Sequence, residues 1–186
     1  AVESFTALQA HFVSEPLSFS AVEIISANLR GAVFNGKHYP CREHMMKASY
    51  LAGLGLAMAG VGAVHALAYP LGALFDVPHG LANAVMLPYV LEYNYPGNLD
   101  KFCQIALMMD EEDTGLPPRE LAANAVSAVF DLSEDIGIPG SLEDLKIPRD
   151  AIPQMAQAAI KVARPIMNNP RPVSTAVIEQ IYTRAF

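Results

Sequence analysis

Two histidines stand in a stretch of the chain that is almost free of charge. His65 and His79 are fourteen positions apart (79 − 65), inside residues 60–83. Because burying an imidazole without a partner costs free energy, each ring needs a hydrogen-bonding group or a ligand. Neutral imidazole is also a common metal ligand. The pair therefore has two interpretations, either two satisfied core histidines or two ligands that face one cavity and hold a metal.

Local spacing supports the metal interpretation only in part. His79 follows a proline at a predicted helix start, where the positive end of the helix dipole disfavours a protonated ring. Tyr69 lies four residues after His65 and shares its helical face. The separation of the two histidines matches no short zinc signature, and catalytic metals usually take three or four protein ligands. The remaining histidines lie in polar surroundings and are interpreted as surface residues: His11, His38 and His44.

The elements that must position these residues are predicted to be helices. Apolar residues recur at helical spacing almost throughout, and no segment shows the alternation of a strand. We therefore predict an all-α fold, one multi-helix bundle of about eight or nine helices over residues 1–186. The predicted helices cover approximately residues 1–10, 18–35, 41–59, 62–74, 79–93, 99–109, 118–136, 148–167 and 174–186.

Composition limits the classes of partner. Hydrophobic residues make up 52% of the chain and charged residues 17%, which favours helices that are mostly buried. A net charge of −7 provides no basic surface for nucleic acid. Cys41 and Cys103 are too few for a disulfide framework, so a reducing, cytoplasmic location is expected. The acidic run at residues 110–113 is interpreted as a solvated loop.

A membrane span is the alternative for one apolar segment. Residues 48–75 contain no Asp, Glu, Lys or Arg and are long enough to cross a bilayer. Gly60, Gly62, Pro70 and the histidines would then lie at depth in the membrane, where such residues are costly. We predict instead a buried helical hairpin that breaks at the two glycines, and no membrane partner.

Four stretches of the sequence resemble one known family. Residues 62–94, GAVHALAYPLGALFDVPHGLANAVMLPYVLEYN, are similar to the signature of the iron-containing (group III) alcohol dehydrogenases. AVESF at residues 1–5, LAGLGLAMAGVG before the signature and NNPRPVSTAVIEQIY near the end support the match. The chain begins with Ala1, in a segment typical of a helix interior, and is interpreted as the C-terminal helical domain of a longer protein. The family's NAD(P)-binding N-terminal domain would then be absent from it.

The resemblance implies a metal centre with four ligands, one Asp and three His. His65 and His79 match the second and third histidines of that set. The other two ligands belong to an Asp-x-x-x-His segment that directly precedes the family's equivalent of AVESF. The implied metal is Fe²⁺, with Zn²⁺ or another divalent metal as the alternative.

The resemblance also assigns the walls of a substrate pocket. Tyr69 stands where the family usually has a histidine near the nicotinamide and the substrate, and a phenol is a poorer base than an imidazole at neutral pH. Leu56 and the turn at residues 165–169 are expected to face the substrate. No phosphate-binding glycine loop is present in the chain, which agrees with a nucleotide site elsewhere.

The implied activity is metal-assisted hydride transfer between NAD or NADP and a small alcohol or its aldehyde or ketone. With half of the metal ligands missing, we expect the isolated chain to be inactive. Family members commonly assemble as homodimers or larger homo-oligomers, and the same is expected here. The alternative from another class is a non-enzymatic helical binding or assembly module in which the histidines are core residues.

Overall fold

A computed structural model describes residues 1–186 as an assembly of α-helices without strands. The prediction of an all-α fold is confirmed, with ten helices where eight or nine were predicted. Short 3₁₀ turns also occur at Tyr95–Gly97 and Arg149–Ala151. The helices are α1 (Val2–Thr6), α2 (Ser14–Phe34), α3 (Tyr39–Ala59), α4 (Ala63–Phe75), α5 (His79–Asn94), α6 (Leu99–Met108), α7 (Pro118–Asp135), α8 (Ile152–Ala159), α9 (Ala163–Asn168) and α10 (Thr175–Arg184).

The main hydrophobic core surrounds α4. This helix contributes six fully buried apolar residues and packs against α5, α8 and α9. Tyr182 of α10 closes the core, with its hydroxyl donating to the carbonyl oxygen of Leu67 at 2.7 Å. Because α4 is apolar on nearly every side, it can be stable only as a central helix. The six residues are Ala63, Val64, Ala66, Leu67, Ala68 and Leu71.

A second, smaller core lies between α6 and α7. Phe102 and Ile105 of α6 are fully buried there, together with Ala122 and Ala125 of α7. Leu91 of α5 belongs to this cluster, whereas other α5 residues belong to the first. The helix α5 therefore contributes residues to both cores.

Helices α2 and α3 form a hairpin that is much less buried. The two helices approach closely at Gly55, where a Cβ atom would lie 2.3 Å from Oγ of Ser18. By length and composition α2 alone would be able to cross a membrane, with 17% of the relevant window buried. Such a single helix is weak evidence for a span, because the core helix of a soluble protein and an N-terminal signal sequence meet the same criteria.

The apolar segment at residues 48–75 breaks at the glycines as predicted, but the predicted buried hairpin is wrong, because α3 packs against α2 rather than α4 and is largely exposed. Helix α3 ends at Ala59, α4 begins at Ala63, and the two helices are bent by 104° relative to each other. Gly60 has φ of +72°, a conformation that favours glycine because a side chain would be strained there. The helix α4 then includes Pro70 and ends at Phe75.

Three helix predictions were wrong in their bounds, and one of them is α2, which begins at Ser14 rather than near residue 18. The first helix ends at Thr6 rather than near residue 10, because the backbone amides of Leu8 and Gln9 turn away to bond with Asn168. The predicted helix over residues 148–167 is a 3₁₀ turn followed by α8 and α9. Pro165 lacks the amide hydrogen that a continuous helix from α8 would need, but it is tolerated in the first turn of a helix that begins at Ala163.

Candidate metal and substrate site

The structure brings the two predicted metal ligands together. The ring centroids of His65 and His79 lie 5.5 Å apart at an interplanar angle of 61°. His65 is the third residue of α4 and His79 is the first residue of α5. Asp76, which has φ of +56°, lets the chain reverse between the two helices. Because of this reversal, two rings that are fourteen residues apart in the sequence lie next to each other.

Glu3 is the hydrogen-bonding partner of the His65 ring. Its Oε2 atom is hydrogen-bonded to Nδ1 of His65, and its Oε1 atom accepts from the backbone amides of Gly62 (3.0 Å) and Val64 (2.7 Å). The Glu3 side chain is only 9% exposed. Since Nδ1 is engaged by a carboxylate, Nε2 of His65 is the atom that remains to bind a ligand.

Asn169 completes the start of α4. Its Oδ1 atom accepts from the backbone amide of Ala63 at 3.1 Å, and its amide group pairs with that of Asn94 in both directions. The N-cap Gly62 has no side chain of its own to cap the helix, and a Cβ there would lie 3.0 Å from Asn169 Oδ1. Side chains from distant parts of the sequence therefore satisfy the first amides of α4.

His79 has much less support. The residue is exposed, α5 has no side-chain cap, and Asn83 Nδ2 donates to the carbonyl oxygen of His79 at 2.9 Å. The Tyr69 ring stacks on the His79 ring, with centroids 5.8 Å apart and an angle of 16°. Oδ1 of Asn83 is buried without a hydrogen-bond partner.

Tyr69 and Leu56 face the same cavity. Both are a little under half exposed, and they line a depression of about 790 Å³ together with residues 162–165, Met167 and Asn168. Neither histidine lines this depression, but Tyr69 connects the two features because it also stacks on His79. The structure thus assembles the predicted pocket residues beside the histidine pair, and their roles remain predictions.

The donor set fits a divalent metal in part. Imidazole nitrogen atoms suit Fe²⁺ or Zn²⁺. Within residues 1–186, however, no group of three or more His, Cys, Asp or Glu side chains could hold a metal ion. The chain therefore brings together two imidazole rings, which would provide two of the four ligands that the resemblance implies.

The other singled-out residues lie away from this pair. His38 and His44 are exposed, as predicted for surface residues, whereas His11 is half-buried. Cys103 packs against the second core, with its sulfur 3.2 Å from the carbonyl oxygen of Pro118. Burial raises the pKa of the Cys103 thiol, which disfavours the reactive thiolate.

Sequence reasoning missed two residues of the site, Glu3 and Asn169. Glu3 gave a signal, since it is an acidic residue within an otherwise uncharged helical segment at the start of the chain. Asn169 was assigned only to a rigid turn at the pocket wall. Its actual partners are 75 and 106 residues away in the sequence.

The model of the Fe-containing alcohol dehydrogenase family, C-terminal part, matches residues 1–186. The chain belongs to the iron-containing alcohol dehydrogenase family. It is 42% identical to the 1,3-propanediol dehydrogenase of Klebsiella pneumoniae and 37% identical to the lactaldehyde reductase of Escherichia coli. Each match covers 100% of the chain and 48% of the relative.

Solved structures of two related enzymes show the same helical arrangement. A crystal structure of a 1,3-propanediol oxidoreductase matches the chain with a TM-score of 0.97 at 42% identity, and covers 100% of this chain and 48% of that one. An alcohol dehydrogenase from Oenococcus oeni matches with a TM-score of 0.96 at 34% identity, with the same coverage. The chain thus spans about half the length of the relatives it matches and corresponds to their C-terminal part.

Proposed function

We propose that residues 1–186 form the metal- and substrate-binding part of an NAD(P)-dependent alcohol dehydrogenase. The observation that carries this proposal is the convergence of His65 and His79, with rings 5.5 Å apart, beside the cavity lined by Tyr69 and Leu56. The reaction is the interconversion of a small alcohol and its aldehyde or ketone. The names of the relatives, a 1,3-propanediol dehydrogenase and a lactaldehyde reductase, support short polar alcohols as the substrate class.

Each site residue has one role in this proposal. His65 and His79 contribute nitrogen ligands, Tyr69 orients the substrate or a water molecule through its hydroxyl, and Leu56 forms the apolar wall. A bound Fe²⁺, Zn²⁺ or other divalent metal supplies polarisation of the substrate oxygen. Since Tyr69 lies on the ring of His79, a substrate bound in the cavity comes within reach of both side chains.

The nucleotide is assigned to a different part of the whole enzyme. Residues 1–186 contain no strand followed by a glycine-rich phosphate loop, so we place NAD or NADP binding in an N-terminal domain. The isolated chain, with two metal ligands and no nucleotide domain, is then inactive. A cytoplasmic location, supported by the free thiols of Cys41 and Cys103, and a homodimer or larger homo-oligomer complete the proposal.

A chimaeric enzyme tests the proposal. Residues 1–186 would replace the matching C-terminal part of the Klebsiella 1,3-propanediol dehydrogenase, and the product would be loaded with Fe²⁺ and assayed with NAD⁺ and a panel of primary alcohols. We expect turnover by the chimaera and none by the isolated chain. His65→Ala and His79→Ala should each lower metal affinity and activity by more than the roughly 10- to 100-fold that loss of an outer-shell partner causes.

The matched control for these variants is His38→Ala, because His38 is exposed and distant from the pair along the chain. It should leave metal content and turnover unchanged. A folded chimaera that stays free of metal would contradict the proposal and favour the non-enzymatic helical module. The exposure of His79 counts against that alternative, since a satisfied core histidine would be buried.

A further inference from the structure

Glu3 is a buried acidic residue whose two carboxylate oxygens are both engaged. Oε1 accepts from the amides of Gly62 and Val64, and Oε2 is bonded to Nδ1 of His65. Its position relative to α4 is therefore fixed at three points. Additional contact between α1 and this region comes from Ser4, whose hydroxyl donates to the carbonyl oxygen of Gly60 at 3.0 Å.

The chemistry of these contacts selects one form of the His65 ring. An ionised carboxylate has acceptors only, whereas a neutral imidazole has one donor nitrogen and one acceptor nitrogen. A carboxylate bonded to Nδ1 therefore requires the ring proton on Nδ1 and leaves the lone pair on Nε2. In the opposite tautomer Nε2 carries the proton and cannot bind a metal without losing it.

We propose that Glu3 is a positioning residue for His65, which holds the ring in the Nδ1–H tautomer and directs Nε2 toward the metal. This inference rests on the proposed function, because it assumes that His65 is a metal ligand. The same carboxylate caps the start of α4, so the orientation of the ring and the start of its helix depend on one side chain. Partners of this kind usually contribute 10- to 100-fold to metal affinity.

The substitution Glu3→Gln separates the two roles of the side chain, which are to cap the start of α4 and to bond with the His65 ring. The amide oxygen of glutamine can still accept from Gly62 and Val64, so the cap of α4 is retained. The amide nitrogen then replaces Oε2 and can only donate, which forces Nδ1 of His65 to accept and moves the ring proton to Nε2. The reverse orientation of the amide would point its donors at two backbone N–H groups and is disfavoured.

The first readout is the tautomer of His65 in the metal-free chain, measured from ¹⁵N chemical shifts of the imidazole, which distinguish Nδ1–H from Nε2–H. We expect Nδ1–H in the wild type and Nε2–H in Glu3→Gln. A loss of packing alone would not transfer this proton. A wild-type ring in the Nε2–H form would overturn the inference, whatever the fate of the variant.

The second readout is Zn²⁺ affinity in the chimaera, measured by competition with a chelator. Glu3→Gln should weaken binding about 10- to 100-fold, whereas the matched control Ser4→Ala, which removes a neighbouring hydrogen bond of α1, should leave affinity unchanged. If His65→Ala abolishes binding but Glu3→Gln does not weaken it, this inference fails and the proposed function stands. If His65→Ala retains full binding, the proposed function itself fails.

Discussion

The two helix starts that carry the histidines differ in how they are held. At the start of α4, Glu3 and Asn169 satisfy the amides of Gly62, Ala63 and Val64 and fix the first histidine of the pair. At the start of α5, no side chain caps the helix, and the exposed second histidine contacts a tyrosine and an asparagine. One ring is fixed by buried contacts, and the other lies at an open edge.

Because of this difference, we expect the two rings to differ in how far they are positioned before metal binds. A ligand held by buried hydrogen bonds is placed before metal arrives, because its neighbours restrict its rotamers and its tautomer. The position of a ligand at an exposed helix start depends instead on the turn that precedes its helix and on the metal itself. Five predictions test whether α4 and its start are firmly held and the α5 start is tolerant.

The largest effect is expected for Asn169→Ala. Asn169 is 2% exposed, and its loss would leave the Ala63 amide and the Asn94 side chain without partners in the core. Since each buried unsatisfied group costs about 1–3 kcal/mol, the free energy of unfolding should fall by about 3 kcal/mol. Urea unfolding measures it, with the exposed Asn35→Ala as control. A loss below about 0.5 kcal/mol, typical of surface changes, would show that the α4 start is not held by this network.

The next effect is expected at Tyr182, whose hydroxyl anchors α4 two residues beyond His65. Tyr182→Phe removes a buried hydrogen bond to Leu67 and should lower the free energy of unfolding by about 1–2 kcal/mol near neutral pH. The exposed Tyr50→Phe is the matched control and should have no effect. Equal stability of the two variants would contradict the assignment.

Tyr182 also makes a prediction about pH. Burial raises the pKa of its phenol above the ordinary value of about 10, so the unfolded chain ionises first. The contribution of the protonated group is complete below about pH 10 and is lost as pH rises above that value. The stability advantage of the wild type over Tyr182→Phe should therefore shrink in alkaline solution. An advantage that grows above about pH 10 would contradict this sign.

The contrast between the helix starts also explains how far sequence reasoning could go. The all-helical fold and the break before Ala63 follow from local periodicity and from the glycines. The meeting of His65 with His79 follows from a short turn within the family signature. The contacts of Glu3 and Asn169 span 59 to 106 residues, and no local pattern encodes which distant amides a side chain will reach.

Local propensity also failed where tertiary contacts override it. The segment after Thr6 has the composition of a helix, but its amides bond instead to the buried Asn168. The roles of Tyr69 and Leu56 depend on a bound substrate. Their shared cavity is consistent with the prediction without testing it.

A smaller effect is expected for Asn83→Ala at the α5 start. The substitution removes a hydrogen bond to the carbonyl oxygen of His79, but it also removes a buried Oδ1 atom that has no partner. Because these contributions oppose each other and alanine favours helices, stability should change by less than about 0.5 kcal/mol. Urea unfolding of Asn83→Ala and Asn169→Ala compares the contributions of the two asparagines to the free energy of unfolding. A loss comparable to that of Asn169→Ala would mean that the α5 start is as firmly held as the α4 start.

The smallest effect on stability is expected for Tyr69→Phe. The Tyr69 hydroxyl makes no hydrogen bond within the chain, and the ring that stacks on His79 is retained. Thermal unfolding should therefore be unchanged, so a change in the activity of the chimaera would report on the substrate alone. Loss of one hydrogen bond to the substrate, about 1 kcal/mol, corresponds to a roughly fivefold fall in kcat/KM. An unchanged kcat/KM would show that the Tyr69 hydroxyl does not bind the substrate. Tyr69 would then act beside His79 only through the shape of its ring.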